Sequence, residues 1–181
     1  MNAVREAVPR IPREEWTSHP RFRTQALLLG SHSNFRRVSR YLVDKASGEA
    51  FVGLHSLFER WIAAMRSHEA YEERKLYPYL EYRWGLSLDD ARAGHVELHT
   101  RADEVVEAFG TLALPRDPSN SMESPSDNVV LRALQAHDQT LDAHLNVEEE
   151  AVVPLLLGLS PDEFDRYYRS PLSLLLTPDP R

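Results

Sequence analysis

Residues 68–80 read HEAYEERKLYPYL and residues 144–156 read HLNVEEEAVVPLL. Both stretches place two adjacent glutamates four and five residues after a histidine, a proline ten residues after it and a leucine twelve after it. A histidine and a carboxylate at i and i+4 share one helix face and can reach a common point. The chain must therefore contain two helices whose apolar stripes are each interrupted by such a pair. Burying an unpaired carboxylate is costly, so His68 with Glu72, and His144 with Glu148, need strong partners inside the fold. The point on which they converge is a candidate metal site.

What else could occupy that point is narrowed by composition. The chain has no cysteine, so thiolate zinc sites, iron–sulfur clusters, disulfides and cysteine nucleophiles are excluded, and any metal is held by nitrogen and oxygen. A formal charge of -7 with no basic block argues against a nucleic-acid partner. No run of about 18 apolar residues occurs, and the N-terminal segment lacks the apolar centre of a signal peptide, so a cytoplasmic protein with no membrane partner is expected. At 181 residues the chain suits one domain with a sizeable core.

In chain order, Pro9, Pro12 and Pro20 make residues 1–18 an expected extended arm pinned by Trp16. A first helix is expected from Pro20 to about Ala46, with His32 in line with Leu28, Phe35 and Leu42. The second runs from about Glu49 past Pro78, with a kink or an end near the proline, and carries His68 and Glu72 in its apolar stripe. Ser87 and Asp90 suit the start of a third helix, whose core face holds His95 and His99 one turn apart. Three prolines and several serines make residues 113–125 an expected surface loop. The fourth helix runs from about Ser126 to Gly158 with His144 and Glu148 on its stripe. Ser160, Pro161 and Glu163 open a short fifth helix to about Arg169, followed by an irregular tail. The domains expected are an arm over 1–18, a bundle over 19–158, and a short helix with tail over 159–181.

Four long helices, each with one apolar face, imply an all-α, antiparallel up-down-up-down four-helix bundle. The second and fourth helices then run parallel, related by a pseudo-twofold, and bring the two motifs face to face. His32, His95 and His99 arrive from the other two helices. Five imidazoles and two carboxylates are too many for one ion and suit two. With both carboxylates and a solvent-derived oxygen bridging, histidines divided three and two leave one ion six-coordinate and the other five-coordinate. The open position would take a small ligand.

On these residues the chain resembles the hemerythrin family in its HHE cation-binding branch. The likeness covers about residues 28–157 and rests on His32, HEAYEE from His68, HVELH from His95 to His99, and HLNVEEE from His144. The resemblance implies two non-haem iron ions joined by an oxo or hydroxo group and two carboxylates. It implies His95, His99 and His144 on the first iron, His32 and His68 on the second, Glu72 and Glu148 as bridges, and dioxygen at the second iron. Oxygen-carrying members place an aspartate five residues after the fourth-helix histidine, where this chain has Glu149, preceded by Glu148 at four. A glutamate at four is the habit of the HHE branch and repeats the second helix, so Glu148 is the expected bridge and Glu149 the alternative.

Ferritin-like di-iron bundles use Glu-x-x-His, and none of the eight histidines here has a glutamate three residues before it. His137, seven residues before His144, lies beyond reach of the same ions and is expected in the core or in the surroundings of the site. Glu73, Glu149 and Glu150 are expected on a solvated acidic face, and Tyr71, Tyr77 and Tyr79 in packing roles. Two function classes follow: a protein that binds dioxygen or nitric oxide for storage, delivery or sensing, and an enzyme that breaks down peroxide. The C-terminal leucines offer an apolar patch suited to a homodimer.

Overall fold

A computed structural model describes residues 7–48, 51, 53–112 and 125–176. It is all-α, and its helices are α1 (Arg13–Trp16), α2 (Phe22–Gln25), α3 (Leu28–Ser47), α4 (Leu54–Tyr71), α5 (Tyr77–Trp84), α6 (Asp89–Leu112), α7 (Pro125–Gly158), α8 (Pro161–Arg169) and α9 (Leu172–Leu175). A π-helical segment, Glu72–Leu76, joins α4 to α5 without a break. Of the loop expected at 113–125, residues 113–124 lie outside the described residues, as do the junction at Glu49 and the last five residues, while Pro125 already opens α7.

The bundle is made by α3, the α4–α5 pair, α6 and α7, and its core is divided in two. One apolar cluster contains Leu28, Leu76, Leu80, Ala91, Val152 and Leu156. The other contains Phe35, Met65, Phe58, Leu98, Leu141 and Leu145. Each long helix crosses from one cluster to the other: Leu28 to Phe35, Met65 to Leu76, Ala91 to Leu98, Leu145 to Val152. The direction of crossing alternates, as up-down-up-down topology requires. The residues at the crossings are His32, His68 with Glu72, His95, and Glu148, with His144 just before its crossing. One polar layer therefore cuts the bundle, and every helix supplies it.

The first expected helix is interrupted. Instead of one rod from Pro20, the chain forms the single turn α2, breaks at Ala26, where φ is -90° and ψ 38°, and restarts as α3. Docking on the end of α7 accounts for the break. Arg21 Nη1 donates to the carbonyls of Leu159 at 2.7 Å and Leu157 at 3.1 Å, and Gln25 Nε2 to Leu159 at 3.3 Å. Those carbonyls at a helix C-terminus have no partner within the helix and attract cations. The arm likewise holds a turn of helix, α1, whose Trp16 is buried and donates to Ile11 O at 2.9 Å.

At the other end α5 stops at Gly85, whose φ of 68° suits a residue without a Cβ. Ser160 and Glu163 form the expected capping box of α8. Leu175 of α9 is buried in the core, while Leu174 is exposed. Among the described residues no helix is long and apolar enough to cross a membrane.

Candidate metal centre

Six of the seven expected ligands meet in the polar layer as two triads, His32–His68–Glu72 and His95–His144–Glu148, each with its ligand atoms within 4.8 Å of one another. The carboxylates tie the triads together. Glu72 Oε1 lies 2.8 Å from His68 Nε2 and 3.7 Å from His32 Nε2, while its Oε2 lies 3.6 Å from His95 Nε2. Glu148 Oε2 is 3.5 Å from both His144 Nε2 and His32 Nε2. Each glutamate thus faces histidines of both triads.

All of these side chains except the partly exposed His68 are buried, and their inward atoms lack hydrogen bonds. His32 Nε2, His68 Nε2, both oxygens of Glu72 and Glu148 Oε2 have no well-oriented partner. Orphaned buried polar atoms of this kind are rare because each costs about 1–3 kcal/mol. Most of the spacings, near 3.5 Å, are long for hydrogen bonds. They are close to the roughly 3.0–3.5 Å between two donors that sit about 2.1 Å from a shared ion. The donor set, imidazole and carboxylate only, suits a first-row transition metal.

His99 is not in either triad. It stands one turn beyond His95 on α6, half-exposed, with Nε2 2.6 Å from Glu69 Oε2. Glu69 is buried and takes up the imidazole in that position. Pairing of His99 with Glu69 was not foreseen from the sequence, although Glu69 directly follows His68.

The second glutamate of each motif also has a duty. Glu149, expected on a solvated face, is buried, and its Oε1 accepts from His32 Nδ1 at 3.1 Å and from Arg36 Nη1 at 2.5 Å. Arg13 of α1 pairs with its other oxygen. Glu73 Oε1 lies 2.9 Å from His95 Nδ1. A carboxylate on Nδ1 orients the ring with Nε2 aimed inward, which is the usual outer support of a metal-binding histidine. The signal was in the sequence: in a doublet at i+4 and i+5 the second side chain turns about 100° away, towards a neighbouring helix.

Tyr77 was the less legible addition. In a straight α-helix it would lie about 140° around from Glu72. The π segment carries one extra residue in its turn, so the Tyr77 N–H bonds to Glu72 O and the side chain returns to the same face. Its hydroxyl donates to Glu148 Oε1 at 2.6 Å and lies 3.5 Å from His95 Nε2. Gly94 is the other: a Cβ there would stand 2.2 Å from His144 Nδ1, so only glycine lets that ring lie against α6.

Without a cation the charges in the layer are strained against one another. Burial alone would raise the pKa of Glu72, but His32, His68 and His95 outweigh it and hold the carboxylate well below its ordinary range. Burial, with the Glu72 charge beside it, pushes Glu148 up. His32 and His95 are raised to about 9, as Glu149, Glu73 and Glu72 overcome the opposing effect of burial. His144 is lowered to about 4 by burial and by His95. His137 is a core residue outside the triads: buried against Phe58 and Trp61, it is also lowered to about 4, by burial.

Two triads of nitrogen and oxygen donors joined by two carboxylates, set across a four-helix bundle, define a protein built to hold a two-metal centre. Residues 23–156 match the family model described as the hemerythrin HHE cation binding domain. The chain belongs to that family. No curated protein and no solved structure gives a match.

Proposed function

We propose that the chain is a non-haem di-iron protein that binds dioxygen or nitric oxide for storage, delivery or sensing. His32, His68, Glu72, His95, His144 and Glu148 would hold the pair of iron ions. His99 would join them by turning from Glu69. Two bound irons, with their bridging oxo or hydroxo group, supply a redox centre with one open position for a small ligand. A cytoplasmic setting without nucleic acid goes with this reading and is supported by the acidic net charge. A homodimer is also proposed, with the exposed Leu174 as its support.

The observation that carries the reading is a small void beside both triads. It measures about 10 Å³, close to the least space one water needs, and is lined by Phe35, Met65, Leu98, Leu141 and Leu145 together with Glu69 and the proposed ligands His68, Glu72, His144 and Glu148. The space is apolar on one side and lined by ligand-type side chains on the other, which suits a small ligand held beside the metals.

Metal analysis, anaerobic reduction, oxygen titration and return to vacuum test the proposal. About two irons per chain and a visible band that disappears under vacuum are expected. Zinc in place of iron would overturn it, and so would a reduced protein whose spectrum ignores oxygen.

A second reading, peroxide breakdown, is favoured by the Tyr77 hydroxyl, a proton donor placed between Glu148 and His95. Disproportionation converts two hydrogen peroxide molecules to two waters and one dioxygen. Rapid oxygen evolution that falls at least tenfold in Tyr77→Phe would select the enzyme over the carrier.

A further inference from the structure

A second cavity adjoins the centre, and its size does not fit a diatomic ligand. It is an open cleft of about 560 Å³ that reaches His68 and Glu72. A water molecule takes a share of about 30 Å³ in the liquid, and clefts of roughly 300–1,000 Å³ are those that hold small organic molecules. The floor includes Leu28, Leu76 and Leu156 from the bundle, and one wall is Phe164, Tyr167 and Tyr168 of α8. That wall lies beyond residue 156, where the family match ends. The cleft is therefore completed by a helix that this chain adds to the shared domain.

Apart from Ser31 and the His68 and Glu72 of the centre, its polar groups have capacity to spare. The hydroxyls of Tyr71 and Tyr167 are 2.5 Å apart. Two phenols so paired use one hydrogen between them and leave one O–H for another acceptor. Gln25, buried to 2% exposure, spends its amide N–H groups on the carbonyls of Leu159 and Ser160 and leaves Oε1 without a partner. Lys75 Nζ gives one hydrogen to Tyr168 O at 3.3 Å and lies 5.1 Å from the centre of the Tyr167 ring. An ammonium has two further donors. Apolar floor, aromatic wall, one free hydroxyl donor, one free buried acceptor and a cation describe a complementary molecule.

We propose that this cleft binds a small aromatic compound bearing a hydroxyl and an acidic group. The ring lies against Leu28, Leu156 and Phe164, the hydroxyl exchanges hydrogen bonds with the Tyr71–Tyr167 pair and Gln25, and the acid faces Lys75. The site needs no metal, so it stands or falls separately from the di-iron reading.

The test is titration calorimetry of metal-free protein with 4-hydroxybenzoate as the probe, against benzoate and phenol. Binding of 4-hydroxybenzoate at least tenfold tighter than either comparator is expected. Lys75→Met should weaken it about tenfold towards the affinity of phenol, and Tyr71→Phe should weaken it towards that of benzoate, with melting temperatures showing both variants folded. No binding at millimolar probe would overturn the proposal. Equal affinity for all three compounds would do so too, as would variants that bind like the parent, or binding that appears only after iron is loaded.

Discussion

Adding one methyl group to Gly94 should remove one metal from the centre and leave the fold standing. An alanine Cβ at that position would lie 2.2 Å from His144 Nδ1, 3.0 Å from its Cγ and 3.1 Å from its Cε1. Ordinary contact begins at about 3.5 Å, so the ring must retreat by more than 1 Å. It has little room to slide, because His95 packs against it with ring centroids 4.8 Å apart. Overpacking of this kind costs about 1–3 kcal/mol, enough to cancel the gain of about 1 kcal/mol from alanine in a helix. The cheapest relief is rotation of His144 out of its triad. Gly94→Ala should therefore fall from about two irons per chain to about one, with unchanged helicity and a metal-free stability within a few kcal/mol of the parent. Gly110→Ala is the control: it lies in the same helix, nothing stands within 4 Å of its Cβ, and it should gain about 0.5–1 kcal/mol without touching the metal. Iron analysis beside denaturant melts reads both effects. A Gly94→Ala protein with full iron and parental affinity would show that His144 is not a ligand placed by this contact.

Glu73→Gln and Glu149→Gln should each weaken metal binding by about 10–100-fold in chelator competition, the second more strongly because its carboxylate is buried; parental affinity in both would end the argument for supporting carboxylates. Tyr77→Phe leaves Glu148 Oε1 buried without its donor and should cost the metal-free protein about 1–3 kcal/mol in urea melts, whereas a neutral change would mean the hydroxyl contributes nothing. His137, lowered to about 4, stays neutral in the folded chain while the unfolded chain takes up a proton below about 6.5. Its contribution is full above that value and is lost as pH falls from 6.5 through 4, amounting to about 3 kcal/mol, and His137→Leu should flatten that part of the pH–stability curve relative to the parent. Because His32 and His95 are raised to about 9, loading metal at pH 7 should release protons and apparent affinity should climb up to that pH; a calorimetric enthalpy that does not vary with the buffer's ionisation heat would contradict it.

The layer of ligand-type side chains was legible because it follows from periodicity. Residues of one helix face share a stripe, and the polar interruptions of four stripes fall at one level when the helices are laid antiparallel. His32, His68, Glu72, His95, His144 and Glu148 needed nothing more. His99 lies on the expected face, but a face does not say which carboxylate a side chain meets, and in this structure it meets Glu69. The break at Ala26 was hidden for a similar reason, since it answers carbonyls more than 130 residues away in sequence. Gly94 was unreadable because its meaning is the absence of a clash with a ring on another helix.

The repeat itself turns out to be symmetric in its chemistry and asymmetric in its backbone. Glu72 and Glu148 both face the two triads, and Glu73 and Glu149 both hold the outer nitrogen of a histidine from another helix. The relation extends to Trp61 and His137, equivalent positions whose rings lie 5.3 Å apart. The prolines break it. Pro78 follows a π segment, whereas Pro154, at the same offset, lies inside an uninterrupted α7. A proline removes one backbone donor in either case, so it does not by itself dictate the wider turn. The consequence is visible five residues beyond Glu72 and Glu148. On α7 that position is Val153, buried in the apolar cluster, whereas after the π turn it is Tyr77, returned to the polar layer with its hydroxyl on Glu148. A symmetric pair of motifs supplies equivalent ligand-type side chains to the two triads, and one extra residue in one turn places a single tyrosine hydroxyl on one side of them. Beyond the unequal share of histidines that His99 would bring, the two halves of the layer therefore differ chemically in how one helix is wound.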